Sequence, residues 1–485
     1  MSDVNAKDTT RIEGESDVWH LYQGVGAGNS KTGIEVEMGF FDPSSPNLKT
    51  MSVAQNKVVK NAAAAALPGN WVNNEPSSET LEVSSIAAGP ENLRDVLEDT
   101  NTKIRILTEK AAGVGLKRSY FQELPEKPYT YLLDNLMDVP RYQAFFGPPR
   151  ADMQGFAAYF TVCKSTQVSV SYENPDQLLE HIRRLYLLAP FLFLITDNST
   201  GFAEGKRFTG HPGMHYRHIG LLEGRGGVPP YIFTAQNGEA FIRAHINHVM
   251  NNPLYVYYDE NGVMQRVPSG QWTSFNELRE KGLNTATNYY FAQTVLWPDV
   301  KVAALRDEND DIFGHRYEAR MFGVGAHQHQ TAQLITAALA YNAAFAADID
   351  RLLAEFGLDL TDGNCTAHIL ERAYEAARNH GGKFLNVAYG SGVMADFARE
   401  FADLIEKAYD GQGFDDELLP LLTICRTGCT DAKVNTHLFP TLEKALDFQR
   451  SYSPAILQDP NTCAKLLFEK ELRSSGKDCC QSAIF

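Results

Sequence analysis

The sequence predicts an α+β protein: an antiparallel sheet with one polar face, backed by helices. Three observations predict it. Four separate segments, 33–39, 80–84, 166–171 and 314–321, alternate apolar and polar residues with the period of a strand. Between and after them run stretches with helical apolar spacing and helical start and stop signals. The polar positions of the four segments are mostly acids and neutral donors, too far apart in sequence to share one helix.

The first segment is Gly33-Ile34-Glu35-Val36-Glu37-Met38-Gly39. Ile34, Val36 and Met38 point one way, and Glu35 and Glu37 point the other. Like charges at that spacing, about 6–7 Å along a strand, repel unless a cation sits between them or both reach water. Carboxylates are the oxygen ligands that hard ions such as Mg2+ require. The strand is therefore either one wall of a metal site or an edge with a solvated face. Gly24, Gly26 and Gly28 precede Lys31-Thr32, but Ser30 stands where a phosphate loop needs Gly, and a strand follows instead of a helix. The glycines read as turns.

Composition sets the outer limits. The chain has 485 residues, long enough for a large core, with 44 Lys plus Arg against 60 Asp plus Glu and a formal charge of −16. This acidity argues against a general nucleic-acid binder. It leaves open a local cationic pocket for ATP. Seven scattered cysteines do not make a disulfide scaffold. The N-terminus shows no signal-peptide pattern and no apolar run reaches the length of a membrane span, so the expected location is the cytoplasm, away from membranes. One catalytic domain over 1–485 is expected, its core at about 30–345 and a helical region at about 346–485. The oligomeric state is left open.

Along the chain, residues 1–20 are polar and loosely patterned. The Ala-rich stretch 61–67 is helical and stops at Pro68-Gly69. In 75–84, Leu81 and Val83 share one strand face while Thr80, Glu82 and Ser84 share the other; Glu75 lies seven residues before Glu82. A helix spans 90–116. Residues 138–150 form a loop with two arginines, Arg141 and Arg150. A strand pattern begins at 158–162, and in 167–171 Gln167, Ser169 and Ser171 form a neutral polar face. Asn174-Pro175-Asp176 starts a helix that runs to Pro190, followed by the apolar 191–195 and a loop at 196–201.

Residues 205–227 hold Lys206, Arg207, Arg217 and Arg225 with His211, His215 and His218, a local basic excess suited to polyphosphate or carboxylate. The histidines match no zinc motif. Further helices are expected at 241–250, 272–282, 331–356, 365–379, 394–409 and 441–448, with a strand at 253–258. In the last strand, Arg316, Glu318 and Arg320 share a face. They form either a solvated ion-pair row or a site where metal, phosphate and carboxylate meet. Cys425 and Cys429 are four apart without a second pair and read as free thiols.

If the four strands are neighbours, Glu35, Glu37, Glu82 and Glu318 meet on one concave face with Gln167 and Ser169. That is more carboxylate than one ion needs and suits two or three Mg2+ bridging a nucleoside triphosphate. Arg207, Arg217, Arg225, Arg316 and Arg320 supply the cationic side.

The order of these motifs resembles the glutamate–cysteine ligases, within the carboxylate–amine ligases related to glutamine synthetase. The similarity runs over about 30–345. It is carried by Gly33-Ile34-Glu35-Val36-Glu37, the acids of 75–84, Thr166-Gln167-Val168-Ser169-Val170, Asp197-Asn198-Ser199, the 253–258 strand, Trp297-Pro298-Asp299-Val300-Lys301 and Arg316-Tyr317-Glu318-Ala319-Arg320. Ser169 stands where the family commonly has Asn or His, and the loop after Asn198 lacks the family's Pro.

The resemblance implies a catalytic bowl of curved antiparallel sheet, a glutamine synthetase-like fold. In it ATP, glutamate and Mg2+ meet, glutamate is activated as its γ-phosphate, and an amine, in the family cysteine, forms the γ-amide of glutathione biosynthesis. Glu35, Glu37, Glu82, Glu318 and Glu75 are then the metal candidates. Gln167, Ser169, Asn198 and Lys206 fall to the nucleotide, and Arg316, Arg320, Arg217 and Arg225 to phosphate or substrate carboxylate. Arg150 and Arg207 are spare cations that favour an amino-acid acceptor. Another amine, or a non-catalytic protein that keeps the bowl, are the alternatives.

Overall fold

The alternating segment around Glu35 and Glu37 forms β1 (Thr32–Phe41), the strand on which the sheet is built. The structure is a computed structural model and describes residues 8–128, 130–147, 163–220, 225–268, 271, 273–294, 296–306, 312–359, 363–381 and 387–453. Arg150, the 158–162 pattern, Gly224, Trp272 and the Cys479-Cys480 tail lie outside them.

Among the described residues, seven strands join in one curved antiparallel sheet. After β1 come β2 (Val72–Asn74), β3 (Thr80–Ser84), β4 (Lys117–Arg118), β5 (Thr166–Ser171), β6 (Val300–Arg306) and β7 (Ile312–Phe322). The spatial order is β6-β7-β5-β1-β3-β2, with β4 paired to the far end of β1. This is the α+β architecture that the resemblance implied. The strands most distant in sequence are joined through β5, which pairs with both β1 and β7.

One face of the sheet is closed to water. Ile34, Val36, Met38, Leu81, Val83, Val168, Val170, Tyr317, Ala319 and Met321 are all at most 1% exposed. They share one core with helices α1 (Val53–Ala64), α2 (Leu93–Ala112) and α3 (Pro175–Ile195). Burying each large apolar side chain favours the fold by about 1.5–3 kcal/mol, which fixes this face inward. The polar face is left to line the bowl.

Local signals set most helix starts. Ser52 and Gln55 form a capping box at α1, and the Asn174 side chain accepts the N–H groups of Asp176 and Gln177 at α3. The hairpin 256–258/264–266 turns at 259–262, as the strand reading expected. Gly24, Gly26 and Gly28 all have positive φ in a loop before β1, the turn reading.

Several elements differ from expectation. α3 continues through Pro190 to Ile195 instead of ending there. Every residue from Leu185 to Ile195 is buried, and that packing outweighs the roughly 3 kcal/mol that an interior proline costs. The single helix expected over 331–356 is two. The first is Gln328–Tyr341 and the second Ala343–Glu355, broken at Asn342, whose side chain caps the second by accepting the Phe345 N–H.

The segment expected as a loop at 138–147 contains a helix, Pro140–Phe146, started by proline at its first position. The basic segment contains helix α4 (Pro212–Gly220). The expected 365–379 helix is α5 (Gly363–His380). Beyond it, the chain is helical at Met394–Ala408, Asp415–Thr427, Asp431–Leu438 and Leu442–Ser451. Among the described residues, Cys425 and Cys429 form no disulfide. Among the described residues no helix is long and apolar enough to cross a membrane.

Candidate functional site

Strand register brings the acids together. Across β1 and β3, Glu37 lies directly opposite Glu82, and Glu82 in turn lies opposite Asn73 of β2. The chain leaves β2 at Asn74, so Glu75 is the first residue of the connection and enters the same space. Glu37, Glu75 and Glu82 each offer a carboxylate oxygen within 4.8 Å of the others. Glu82 is buried and the other two are half-buried.

Three carboxylates this close and this dry resist ionising together. Burial first, and then the charge of Glu37, pushes the Glu75 carboxyl up to about 8. Burial, then the charges of Glu35 and Glu75, raises Glu82 well above the usual carboxylate range. Burial raises Glu37 too, partly opposed by the Ser165 N–H that it accepts at 2.7 Å and by the Arg320 charge. Gln167 donates its Nε2–H to Glu37 at 2.9 Å, which fixes the carboxylate's orientation.

The other half of the polar face is an ion-pair ladder. Arg316 reaches Glu35 Oε1 at 3.0 Å with Nη1 and Glu318 Oε2 at 3.1 Å with Nη2. Arg320 Nε meets Glu318 Oε1 at 3.1 Å. Burial alone would raise Glu318, but Arg320, Arg316 and Lys301 more than offset it and hold its carboxyl at about 2. Lys301 stands opposite Glu318 on β6; burial and the Arg320 charge bring its amine down to about 7. Arg316 also donates to the Ser169 hydroxyl. The bowl is thus divided into an anionic trio over β1 and β3 and a cationic ladder over β5, β6 and β7.

The remaining candidates are dispersed. Arg217 is buried on α4, where its Nη1 donates to Asp299 Oδ1 at 2.6 Å; it lines a cleft together with Glu37, Glu75 and Arg320. Arg225 is buried over the Tyr255 ring, 5.2 Å from its centroid, beside a different small cavity that Lys301 also lines. Asn198 is buried and donates to the carbonyls of Tyr120 and Val324 while accepting from Asn435, so its amide binds three chain segments together. Lys206 is exposed on a two-residue hairpin strand.

Several participants carry a weak signal in the sequence or none. Arg141 acts on Glu75 and lowers it, from a short helix that read as a loop. Lys164 forms a fully buried pair with Glu79 at 2.8 Å beside the cleft. Asp299 accepts from Arg217 and, at 2.8 Å, from the Tyr374 hydroxyl. The signal for Lys164 was a charged residue just before the polar strand at 166–171. Arg141 and Tyr374 carry no local signal.

No family model matches the chain, and no curated protein matches it. Among solved structures, it is similar to a glutamate–cysteine ligase from Francisella tularensis in complex with AMP: 12% identity, TM-score 0.48, covering 95% of this chain and 98% of that one. It is also similar to a bifunctional glutathione synthetase from Pasteurella multocida: 11% identity, TM-score 0.39, covering 97% of this chain and 52% of that one. Neither similarity speaks to chemistry, which rests on the side chains above.

Proposed function

We propose that the protein is an ATP- and Mg2+-dependent carboxylate–amine ligase acting on the γ-carboxylate of glutamate. The observation that carries the reading is the convergence of Glu37, Glu75 and Glu82 on the polar face that also holds Arg316, Arg320 and Lys301. The donor set fits a hard divalent cation: all oxygen, anionic when ionised, and closely spaced. Glu37, Glu75 and Glu82 would hold it, with Glu35 and Glu318 available where Arg316 and Arg320 move onto substrate. When bound, the ion supplies the positive charge that lets an anionic carboxylate approach an anionic phosphate.

The chain's own residues then have separate tasks. Arg320 and Arg316 orient phosphate or carboxylate oxygens through paired N–H donors. Gln167 and the Ser165 N–H hold Glu37 in place. The apolar underside of the sheet keeps the strands, and hence these groups, at fixed spacing. In the reaction, a γ-carboxylate oxygen of glutamate attacks the terminal phosphorus of ATP and ADP leaves. The amine nitrogen then attacks the acyl carbon, phosphate departs with the C–O electron pair, and the nitrogen's proton passes to that phosphate.

Cysteine is the acceptor the resemblance gives. Arg207 and Arg150 lend an amino-acid acceptor no support. Arg207 is exposed, with its guanidinium 4.8 Å over the Phe202 ring, and Arg150 lies outside the described residues.

The test is incubation with ATP, Mg2+, glutamate and a panel of amines. ADP, phosphate and a γ-glutamyl amide are expected. AMP and pyrophosphate would remove the acyl-phosphate scheme. Absence of any binding of an ATP analogue with Mg2+ in calorimetry would favour a non-catalytic bowl.

A further inference from the structure

A third and larger cavity opens beyond the site, between α4, α5 and the 226–233 segment. It encloses about 790 Å³, against about 40 Å³ in the cleft beside Glu37 and Glu75. Phe193 and Arg217 line both spaces, so the two cavities abut there. The shared end is a polar chain: Arg217 donates to Asp299, and Tyr374 donates to the other Asp299 oxygen.

The walls are built. The His211 N–H donates to the Arg378 carbonyl at 2.9 Å, fastening the end of α5 to the start of α4. Gly210 makes this approach possible, since a Cβ there would lie 2.3 Å from that same carbonyl oxygen. The inner surface is apolar: Met214, Phe233 and Leu370 are buried, and Val228 and Pro229 complete it. At the mouth, Glu371 and Glu375 sit one helical turn apart on α5, both exposed.

This chemistry excludes some occupants. A triphosphate is disfavoured, because Glu371, Glu375 and Asp299 outnumber Arg217 and Arg378, and Arg217 is already paired with Asp299. A volume of this size falls within the roughly 300–1,000 Å³ of sites for drug-sized ligands, far above what a cysteine fills. Amines arrive in solution as cations, which an acidic mouth attracts.

We infer that this cavity takes the acceptor, and that the acceptor is a primary amine with a bulky apolar body, its nitrogen delivered past Phe193 and Arg217 to the acyl phosphate. The inference rests on the ligase reading of the neighbouring site. The same condensation follows: the ammonium first gives one proton to water, the neutral nitrogen forms the C–N bond, the C–O bond to phosphate breaks, and phosphate leaves with the nitrogen's second proton.

The experiment uses the full chain with ATP, Mg2+ and glutamate, and compares tryptamine and phenylethylamine with cysteine, cysteamine and hydroxylamine. Products are weighed by mass spectrometry. The bulky amines should exceed cysteine and cysteamine in kcat/KM by at least about tenfold, the low end of what an apolar pocket discriminates. Leu370→Trp, which narrows the cavity from its inner wall, should lower the ratio of tryptamine to hydroxylamine turnover by at least about tenfold. Val228→Trp, on a half-exposed wall, gives the same measurement if Leu370→Trp does not fold.

Cysteine equal to or better than the bulky amines, or an unchanged ratio in the folded variant, overturns the inference. Hydroxylamine separates the two readings. No γ-glutamyl product from the unaltered protein with any of these amines, hydroxylamine included, means that the ligase reading has failed. Hydroxamate without a preference for bulky amines means that only the acceptor assignment has failed.

Discussion

Glu37 and Glu82 face each other directly across β1 and β3, and Glu75 closes the group from the connection before β3. Two acids opposite one another in an antiparallel pair oppose folding unless something neutralises them. In this fold burial holds a proton on Glu75 up to about pH 8, and a divalent cation would take that proton's place.

Metal binding is the first prediction. Mg2+ or Mn2+ titrated into the protein should bind and release protons, because carboxylates with raised pKa values must ionise to coordinate. Affinity should therefore rise with pH up to about 8. Glu82→Gln should weaken binding by at least about tenfold, the scale of a lost coordination-shell interaction. Calorimetry in two buffers of different ionisation heat checks both points. Unchanged affinity in the variant removes Glu82 from the site.

The same group shapes stability without metal. The Glu75 carboxyl keeps its proton to about pH 8 in the fold, against an ordinary value of 4.5. Over that window the folded protein binds more protons than the unfolded chain, so stability falls as pH rises from 4.5 to about 8. Glu75→Gln should flatten this fall, and Mg2+ should reverse it in the unaltered protein. Urea midpoints measured across the window decide; parallel slopes for the variant and the unaltered protein would discard the assignment.

Lys164 and Glu79 give a test of buried charge. Their side chains are 2% and 0% exposed and meet at 2.8 Å. Lys164→Met leaves the Glu79 carboxylate buried without its cation and should cost roughly 3–5 kcal/mol. Lys164→Met combined with Glu79→Leu should recover most of it. A double variant as unstable as the single one would show that the pair is not the source of the loss.

Acid sensitivity should come partly from His329. Burial first, then the charge of Arg118, holds this imidazole down at about 3, so it is neutral in the fold. Its Nε2 lies 2.8 Å from Asn101 Oδ1. The unfolded chain takes up a proton near 6.5, so stability is lost as pH falls from there toward about 3. His329→Gln removes that proton uptake and should shift the acid-unfolding midpoint to lower pH. An unmoved midpoint would place the acid sensitivity elsewhere.

The faces of the sheet follow from the order of residues alone. A period of two places Ile34, Val36 and Met38 on one side and Glu35 and Glu37 on the other, whatever the strand pairs with. The same holds for Glu82 on β3, Gln167 and Ser169 on β5, and Glu318 on β7. Apolar burial then chooses which side faces the helices. Which polar residues meet depends on the assembled fold, because pairing and register are set between strands far apart in the chain. Register placed Glu82 against Glu37, and gave Glu35 and Glu318 to Arg316. Helix packing took Pro190 into α3 against its local preference. The cavity between α4 and α5 needed both of them, two helices about 150 residues apart whose sequences hold no sign of each other, since the space between packed elements belongs to neither one.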